Sequence, residues 1–392
     1  MKKIIYLMIV FIGFNSFITI NAFAQEEPST LDLASEAAII LEANSGKVIY
    51  EKNAKEKMYP ASLTKIATAI YAIEKGNLND IVTISSNARE TDGTRVYLEE
   101  GEQVPLKKLV QGLLINSGND AGIAIAEHLS GSIEQFAKDI NNYLLNVVGV
   151  QNTHFVNPHG LFDDEHFTTA EDLAVITQYA MHNETFRSIF GTKELEWVGA
   201  SWDTTLITHH KILKGEFPYD SVTGGKTGYV NESGFTLATT ASNENLSLIV
   251  ITLNSSYEDA AYRDTINLLD YGFNNFKTAS IEAGTTFTVD DDNYINSEPL
   301  LYTSSINDTI VSKMDKDGTL NLINQDRMSI ASYQLEKMKS GEINHPVELQ
   351  NTSNTGASQL LMLVIKIAIW LVVLLATVVI GYQLKLSLKR IF

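Results

Sequence analysis

Pro60-Ala61-Ser62-Leu63-Thr64-Lys65 opens a run in which Ile66, Ala67, Ala69, Ile70, Ala72 and Ile73 recur at helical spacing until Lys75-Gly76. That periodicity predicts a helix with Ser62 at its start. Lys65 falls one turn later on the same face, within reach of the Ser62 hydroxyl. A serine nucleophile needs two things that this arrangement offers. One is an amine to take the hydroxyl proton; the other is a set of helix-start N–H groups facing a developing oxyanion. In isolation the pair has a plainer reading, a serine N-cap followed by a solvated lysine. Groups further along the chain decide between the two.

Ser117-Gly118-Asn119 stands in a loop between two apolar segments, 106–115 and 121–129, both read as helices. Lys226-Thr227-Gly228 follows Thr223-Gly224-Gly225 and precedes two strand-like runs, 235–241 and 246–253, joined by a turn at 242–245. Taken singly, these read as a helix linker and a surface turn. Taken with Ser62-x-x-Lys65, their order and spacing form a serine acyl-transfer set. Ser62 attacks a carbonyl. Lys65 is the candidate general base, provided that burial and nearby cations pull its pKa well below about 10.4. Ser117 is placed to bridge the two lysines and pass a proton to a leaving amine. Lys226 adds a positive charge that attracts a carboxylate, and Asn119 offers an amide to hold a substrate amide. Gly228 leaves a strand edge clear for an extended peptide to pair beside it.

With these motifs the sequence resembles the low-molecular-mass penicillin-binding proteins that are D-alanyl-D-alanine carboxypeptidases, over roughly residues 37–276. The likeness extends to Leu113-Leu114-Ile115-Asn116-Ser117-Gly118-Asn119-Asp120-Ala121, Phe155-Val156-Asn157-Pro158-His159-Gly160-Leu161, Thr168-Thr169-Ala170-Glu171-Asp172-Leu173-Ala174 and Leu268-Leu269-Asp270-Tyr271-Gly272-Phe273. The resemblance implies an α/β (α+β) serine acyl-transferase fold of the penicillin-binding protein/β-lactamase type. Such a fold has an antiparallel sheet with helices, here with a small C-terminal β-rich domain and one transmembrane helix. It implies removal of the terminal D-Ala of peptidoglycan pentapeptide stems through an acyl-Ser62 intermediate that water hydrolyses. It further implies an oxyanion hole from the N–H groups of Ser62 and Tyr229, a carboxylate held by Thr227 with Lys226, and acylation of Ser62 by β-lactam antibiotics. No metal or cofactor is implied. The sequence departs from the family pattern in places. Thr223-Gly224-Gly225 stands where Asp-Gly-Ile is usual, Val230 replaces a Thr, Ser233 an Ala, and His210 an Asn.

The rest of the chain bounds the setting. Its 392 residues, 44% of them hydrophobic, suffice for a large core and two domains. Cysteine is absent, which removes disulfides, thiol nucleophiles and Cys-ligated metals. Lys2 and Lys3, an apolar run from Ile4 to Ile20, and Ala22-Phe23-Ala24 read as a signal peptide, 1–24, cleaved after Ala24. The apolar run from Leu360 to Tyr382, broken only by Lys366 and followed by Lys385, Lys389 and Arg390, is long enough to span a bilayer. Both ends are basic, so the net charge of −18 rests on a still more acidic body. That argues against nucleic acid as a partner and against adhesion to anionic lipid. The expected organisation is a catalytic domain, 25–276, a β-rich domain, 277–347, a linker, 348–358, a membrane helix, 359–384, and a cytoplasmic tail, 385–392. The catalytic domain then faces the cell wall, anchored by a single pass.

Local patterns predict a hairpin at 37–51 turning on Asn44-Ser45-Gly46, short strands and turns over 81–106, and helices at 133–147 and 264–276. A further helix is capped by Thr168 with Glu171 three residues on. Beyond 278, β-like runs at 286–289, 309–311 and 320–323 alternate with acidic turns. Two other functions share some of these features. A β-lactamase-like hydrolase needs a carboxylate for fast deacylation, for which Glu165 and Glu171 are the nearest candidates. A membrane-tethered wall-binding scaffold needs no chemistry, and the intact Ser62/Lys65/Lys226 set argues against it. The eight histidines lack recognised metal-ligand spacing. Arg263 is an additional candidate partner for a substrate carboxylate, set against a solvated residue near a helix start.

Overall fold

The computed structural model describes residues 31–338. The expected signal peptide, linker, membrane helix and tail lie outside the described residues. Among the described residues, no helix is long and apolar enough to cross a membrane.

Strands early in the chain pair with strands from past residue 222. The predicted hairpin is present as β1 (Ala37–Glu42) and β2 (Val48–Lys52), antiparallel with a register shift at Ile40/Leu41. Its turn is held by Glu42, whose buried carboxylate accepts the N–H groups of Asn44 and Ser45 at 3.0 and 2.6 Å. Two small hairpins follow. One is β3 (Ile81–Thr83) with β4 (Gln103–Pro105); the other is β5 (Glu194–Val198) with β6 (Asp203–Ile207), which sequence periodicity did not reveal. Then come β7 (Val222–Val230), β8 (Gly234–Ser242) and β9 (Ser247–Ser255). The main sheet runs β2-β1-β9-β8-β7, so β7, which carries Lys226-Thr227-Gly228, is an edge.

The apolar runs of β1 and β9 are continuous because both faces of the sheet are covered. Ile39, Leu41, Ile249 and Ile251 face the large helical layer, whereas Ala38, Ile40, Leu248 and Val250 pack with Leu268 and Leu269. Each large aliphatic side chain so buried contributes about 1.5–3 kcal/mol. Leu268 and Leu269 belong to the helix Glu258–Asn275, which starts six residues before the predicted 264 because Glu258 and Asp259 occupy a favourable first turn.

The helical layer fills the middle of the chain. Helices at Leu106–Ile115 and Asn119–Ser130 flank the Ser117 loop as predicted, and Ile133–Tyr143 runs on into a π-helical turn, Leu144–Val148. The helix Ala170–Met181 is capped one residue later than predicted. The Thr169 hydroxyl accepts the Asp172 N–H at 3.0 Å. Thr168 is otherwise engaged: its backbone bridges Met58 and its hydroxyl meets that of Thr153. Glu171 pairs with Lys55 at 3.7 Å instead of reaching back. Short helices at Ser86–Glu90 and Glu184–Phe190 were not legible from periodicity.

From Phe276 to Lys337 the chain is strands and turns around a separate small core that includes Phe287, Tyr294, Leu320 and Leu322. The expected strands at 286–289 and 320–323 are present as Thr286–Val289 and Thr319–Ile323, and the one expected at 309–311 falls at Val311–Met314.

Candidate active site

The segment before the first long helix is not a simple helix start. Residues Ala61–Leu63 form a 3₁₀ turn that leads into an α-helix, Thr64–Lys75. Ser62 makes no cap, so the N-cap reading fails. The helix is buried on every side from Thr64 to Ala72, not on one face as its periodicity suggested, because it runs through the centre of the helical layer. Lys65 is therefore 0% exposed.

Lys65 Nζ lies 2.8 Å from Ser62 Oγ and donates to the carbonyl of His159 at 2.6 Å. Burial, and next to it the charge of Lys226, hold the Lys65 amine well below the ordinary lysine range; Asp120 opposes this only in part. That shift favours the unprotonated amine, whose lone pair can accept the Ser62 proton. Lys226, 3% exposed, donates to Ser117 Oγ at 3.0 Å and to the Thr227 carbonyl at 2.8 Å. Burial brings its pKa down to about 7. Ser117 bonds Lys226 and forms no hydrogen bond to Lys65, so the expected bridge is made on one side.

Ala61 and Ser117 both have positive φ, 48° and 61°. For a residue bearing a Cβ this costs roughly 1–2 kcal/mol, and such strain collects where geometry serves a site. At Ala61 the neighbouring turn explains how it is held. The Asn157 side chain accepts the N–H groups of His159 and Gly160 at 3.2 and 2.7 Å and donates to the Leu161 carbonyl at 2.9 Å. This rigid turn aims the His159 carbonyl at Lys65. It also sets Gly160, at φ +85°, so close under Ala61 that an added Cβ would lie 1.8 Å from the Ala61 carbonyl oxygen. Gly160→Ala is expected to cost at least about 2 kcal/mol of stability from strain and overpacking and to slow acylation by displacing Lys65. A thermal melt beside a penicillin-labelling time course measures both.

Ser62, Ser117, Thr227, Gly228 and Tyr229 line one open groove of about 380 Å³ along the β7 edge. Gly228 serves a closer purpose than an open edge. A Cβ there would meet Thr236 Oγ1 at 2.4 Å and the Ser62 amide nitrogen at 2.8 Å, so its absence lets the strand approach the nucleophile's backbone. Asn119 is not on the groove surface. Its Nδ2 donates to the Asp92 carbonyl and its N–H to the Thr94 carbonyl, both at 2.7 Å, fixing the rim from which Thr94 lines the groove. Asp120 completes that support by accepting the N–H groups of Val96 and Leu98.

Sequence reasoning missed the His159 carbonyl, Thr94, Asp120, His209 and Tyr262. The last two line the groove beyond Thr227, and burial, with the nearby lysines, lowers the pKa of His209 to about 4. The only advance signal was the Asn-Pro-His-Gly turn. Arg263 is exposed and does not line the groove. Glu165 and Glu171 do not line it either. Among the described residues no three His, Asp or Glu side chains converge as a metal site.

Comparisons with known proteins place the chain in a family. Residues 21–257 match the family described as D-alanyl-D-alanine carboxypeptidase. The chain is 33% identical over 288 residues to the D-alanyl-D-alanine carboxypeptidase DacF of Bacillus subtilis, covering 71% of this chain and 72% of that protein. It is 30% identical over 356 residues to DacA of Escherichia coli, covering 85% and 81%. Among solved structures, penicillin binding protein 5 from Haemophilus influenzae superposes with a TM-score of 0.70 at 25% identity, covering 78% of this chain and 97% of that one. The matched residues include Ser62, Lys65, Ser117 and Lys226, whose two contacts open on one groove, and the chain belongs to the D-alanyl-D-alanine carboxypeptidase family.

Proposed function

We propose that Ser62 is the nucleophile of a serine-type D-Ala-D-Ala carboxypeptidase that trims peptidoglycan pentapeptide stems. The observation that carries this is the 2.8 Å contact between Ser62 Oγ and a fully buried Lys65 amine, whose pKa burial and the charge of Lys226 lower. The Ser62 proton passes to Lys65 Nζ as Oγ attacks the carbonyl of the penultimate D-Ala. The N–H groups of Ser62 and Tyr229 stabilise the oxyanion. As the C–N bond breaks, the Ser117 hydroxyl gives its proton to the leaving amine of D-Ala and regains one from the Lys65 ammonium, which frees Lys65 to take a proton from the water that then hydrolyses the acyl-Ser62 ester. Thr227 and Lys226 hold the terminal carboxylate while the stem pairs along β7. Asn119, 4% exposed behind the rim, meets the stem amide when its Oδ1, which the bond to Asp92 leaves available, turns into the groove. β-Lactams acylate the same hydroxyl. The apolar run 360–382 tethers the enzyme to the membrane and residues 1–24 direct it across, with the catalytic domain facing the wall.

Product analysis on purified muropeptides tests this. Pentapeptides should become tetrapeptides with release of D-Ala; cleavage of cross-linked dimers alone, or no cleavage, would replace the reading by an endopeptidase or a binding scaffold. The same assay across pH reads the lysines. Lys226 must be cationic to hold a carboxylate and Lys65 unprotonated to act as base, so kcat/KM should fall above the Lys226 pKa of about 7 and fall again on the acid side as Lys65 takes up a proton. In Lys226→Arg, whose guanidinium stays charged, that alkaline fall should disappear; its persistence would remove Lys226 as the titrating group.

A further inference from the structure

We propose that His210 is a positioning residue for the carboxylate end of the groove, acting through its contact with Gly225. His210 caps the short helix Lys211–Lys214 and is 1% exposed. Its Nδ1 accepts the Leu213 N–H at 3.1 Å, so the ring proton resides on Nε2, which donates to Thr239 Oγ1 at 2.8 Å. Burial and the charge of Lys226 keep the ring neutral, with a pKa of about 3.

Thr239 and Gly225 are cross-strand partners on β8 and β7. The ring lies over that pair: a Cβ on Gly225 would sit 2.3 to 2.7 Å from its Cδ2, Nε2 and Cγ atoms. On the opposite face, a Cβ on Gly224 would meet Phe190 Cδ1 at 2.5 Å. The strand is therefore gripped by a ring on each side immediately before Lys226. Alternation along β7 sends Lys226 toward Ser117 and puts Thr227 on the same face as His210. The His210 ring also meets Tyr262 edge-on, with centroids 5.7 Å apart, and Tyr262 lines the groove that Thr227 enters. One ring thus sets both the height of the strand carrying Lys226 and Thr227 and the position of the wall beside them. A side chain at Gly225 and an imidazole at His210 exclude each other.

The inference rests on the proposed carboxylate-holding roles of Lys226 and Thr227. It is tested by a cycle of Gly225→Ala, His210→Asn and the double variant, assayed on a peptide ending in Lys-D-Ala-D-Ala. Asparagine keeps an acceptor for the Leu213 N–H while withdrawing from Gly225. Gly225→Ala should raise KM by about tenfold or more with kcat changed less than about threefold, and His210→Asn should return KM of the double variant to within about threefold of the His210→Asn single variant. KM does not depend on the fraction of folded enzyme, so loss of folded protein alone would not reproduce the pattern. A wild-type KM in Gly225→Ala, or a Gly225→Ala substitution that raises KM as much in the His210→Asn background as in the wild type, overturns the inference. Should Gly225→Ala not fold, His210→Ala removes the ring without adding a Cβ, and a wild-type KM there overturns it as well. The underlying reading fails separately: penicillin labelling that persists in Ser62→Ala would discard the nucleophile whatever the cycle shows.

Discussion

Ser62→Ala is expected to abolish both covalent labelling by fluorescent penicillin and release of D-Ala. The loss should be on the order of 10⁴-fold or more, the scale seen when a nucleophile that works as a unit with its base is removed. The physical reason is the absence of any other route to an acyl-enzyme. Among the described residues lining the groove, Ser62 has its hydroxyl on Lys65, the buried amine whose pKa is lowered both by burial and by a neighbouring cation. Ser117 is its nearest rival, but its partner is Lys226, which must stay protonated to hold a carboxylate. Intact-protein mass spectrometry after exposure to penicillin gives the answer directly. An adduct on the Ser62→Ala protein would place the nucleophile elsewhere.

Lys65→Met should reduce the acylation rate by about 10² to 10⁴, the usual range for loss of a positioned general base, while the protein stays folded. Methionine approximates the lysine stem in volume and asks for no solvation. It does leave the His159 carbonyl without its donor, a cost of about 1–3 kcal/mol. The pH dependence separates the two effects. The folded-state pKa of Lys65 is depressed, so between that value and about 10.4 the unfolded chain binds a proton that the folded chain does not. Wild-type stability therefore rises with pH through this window, and Lys65→Met should lack that share of the rise. Denaturant melts at several pH values measure it. Rapid acylation in Lys65→Met would reject Lys65 as the base.

Much of the fold was legible because local pattern and tertiary burial coincide. The β1–β2 hairpin, the two helices around Ser117 and the strands β8 and β9 follow from periodicity and turn chemistry. The misreadings share a cause. The Ser62 helix looked amphipathic yet is buried all round, since small residues at Ala67, Ala69 and Ala72 let neighbouring helices close over it. Thr168 looked like the cap, but its backbone is bridged to Met58, more than a hundred residues earlier in the chain. Arg263, by contrast, is the solvated residue near a helix start that the sequence suggested, exposed on the helix Glu258–Asn275.

By itself the sequence determined which reactive groups exist, their order, and the helix and strand that present them, because those depend on side-chain chemistry and short-range periodicity. Only the tertiary structure decided what each group touches. Lys65 meets the His159 carbonyl across 94 positions of chain, and Lys226 meets Ser117 across 109. Contacts of that separation are set by how the sheet and the helical layer close on one another, a global packing outcome that no local pattern encodes. Closure strips water from both lysines, and that desolvation lowers both pKa values, a change no local pattern announces.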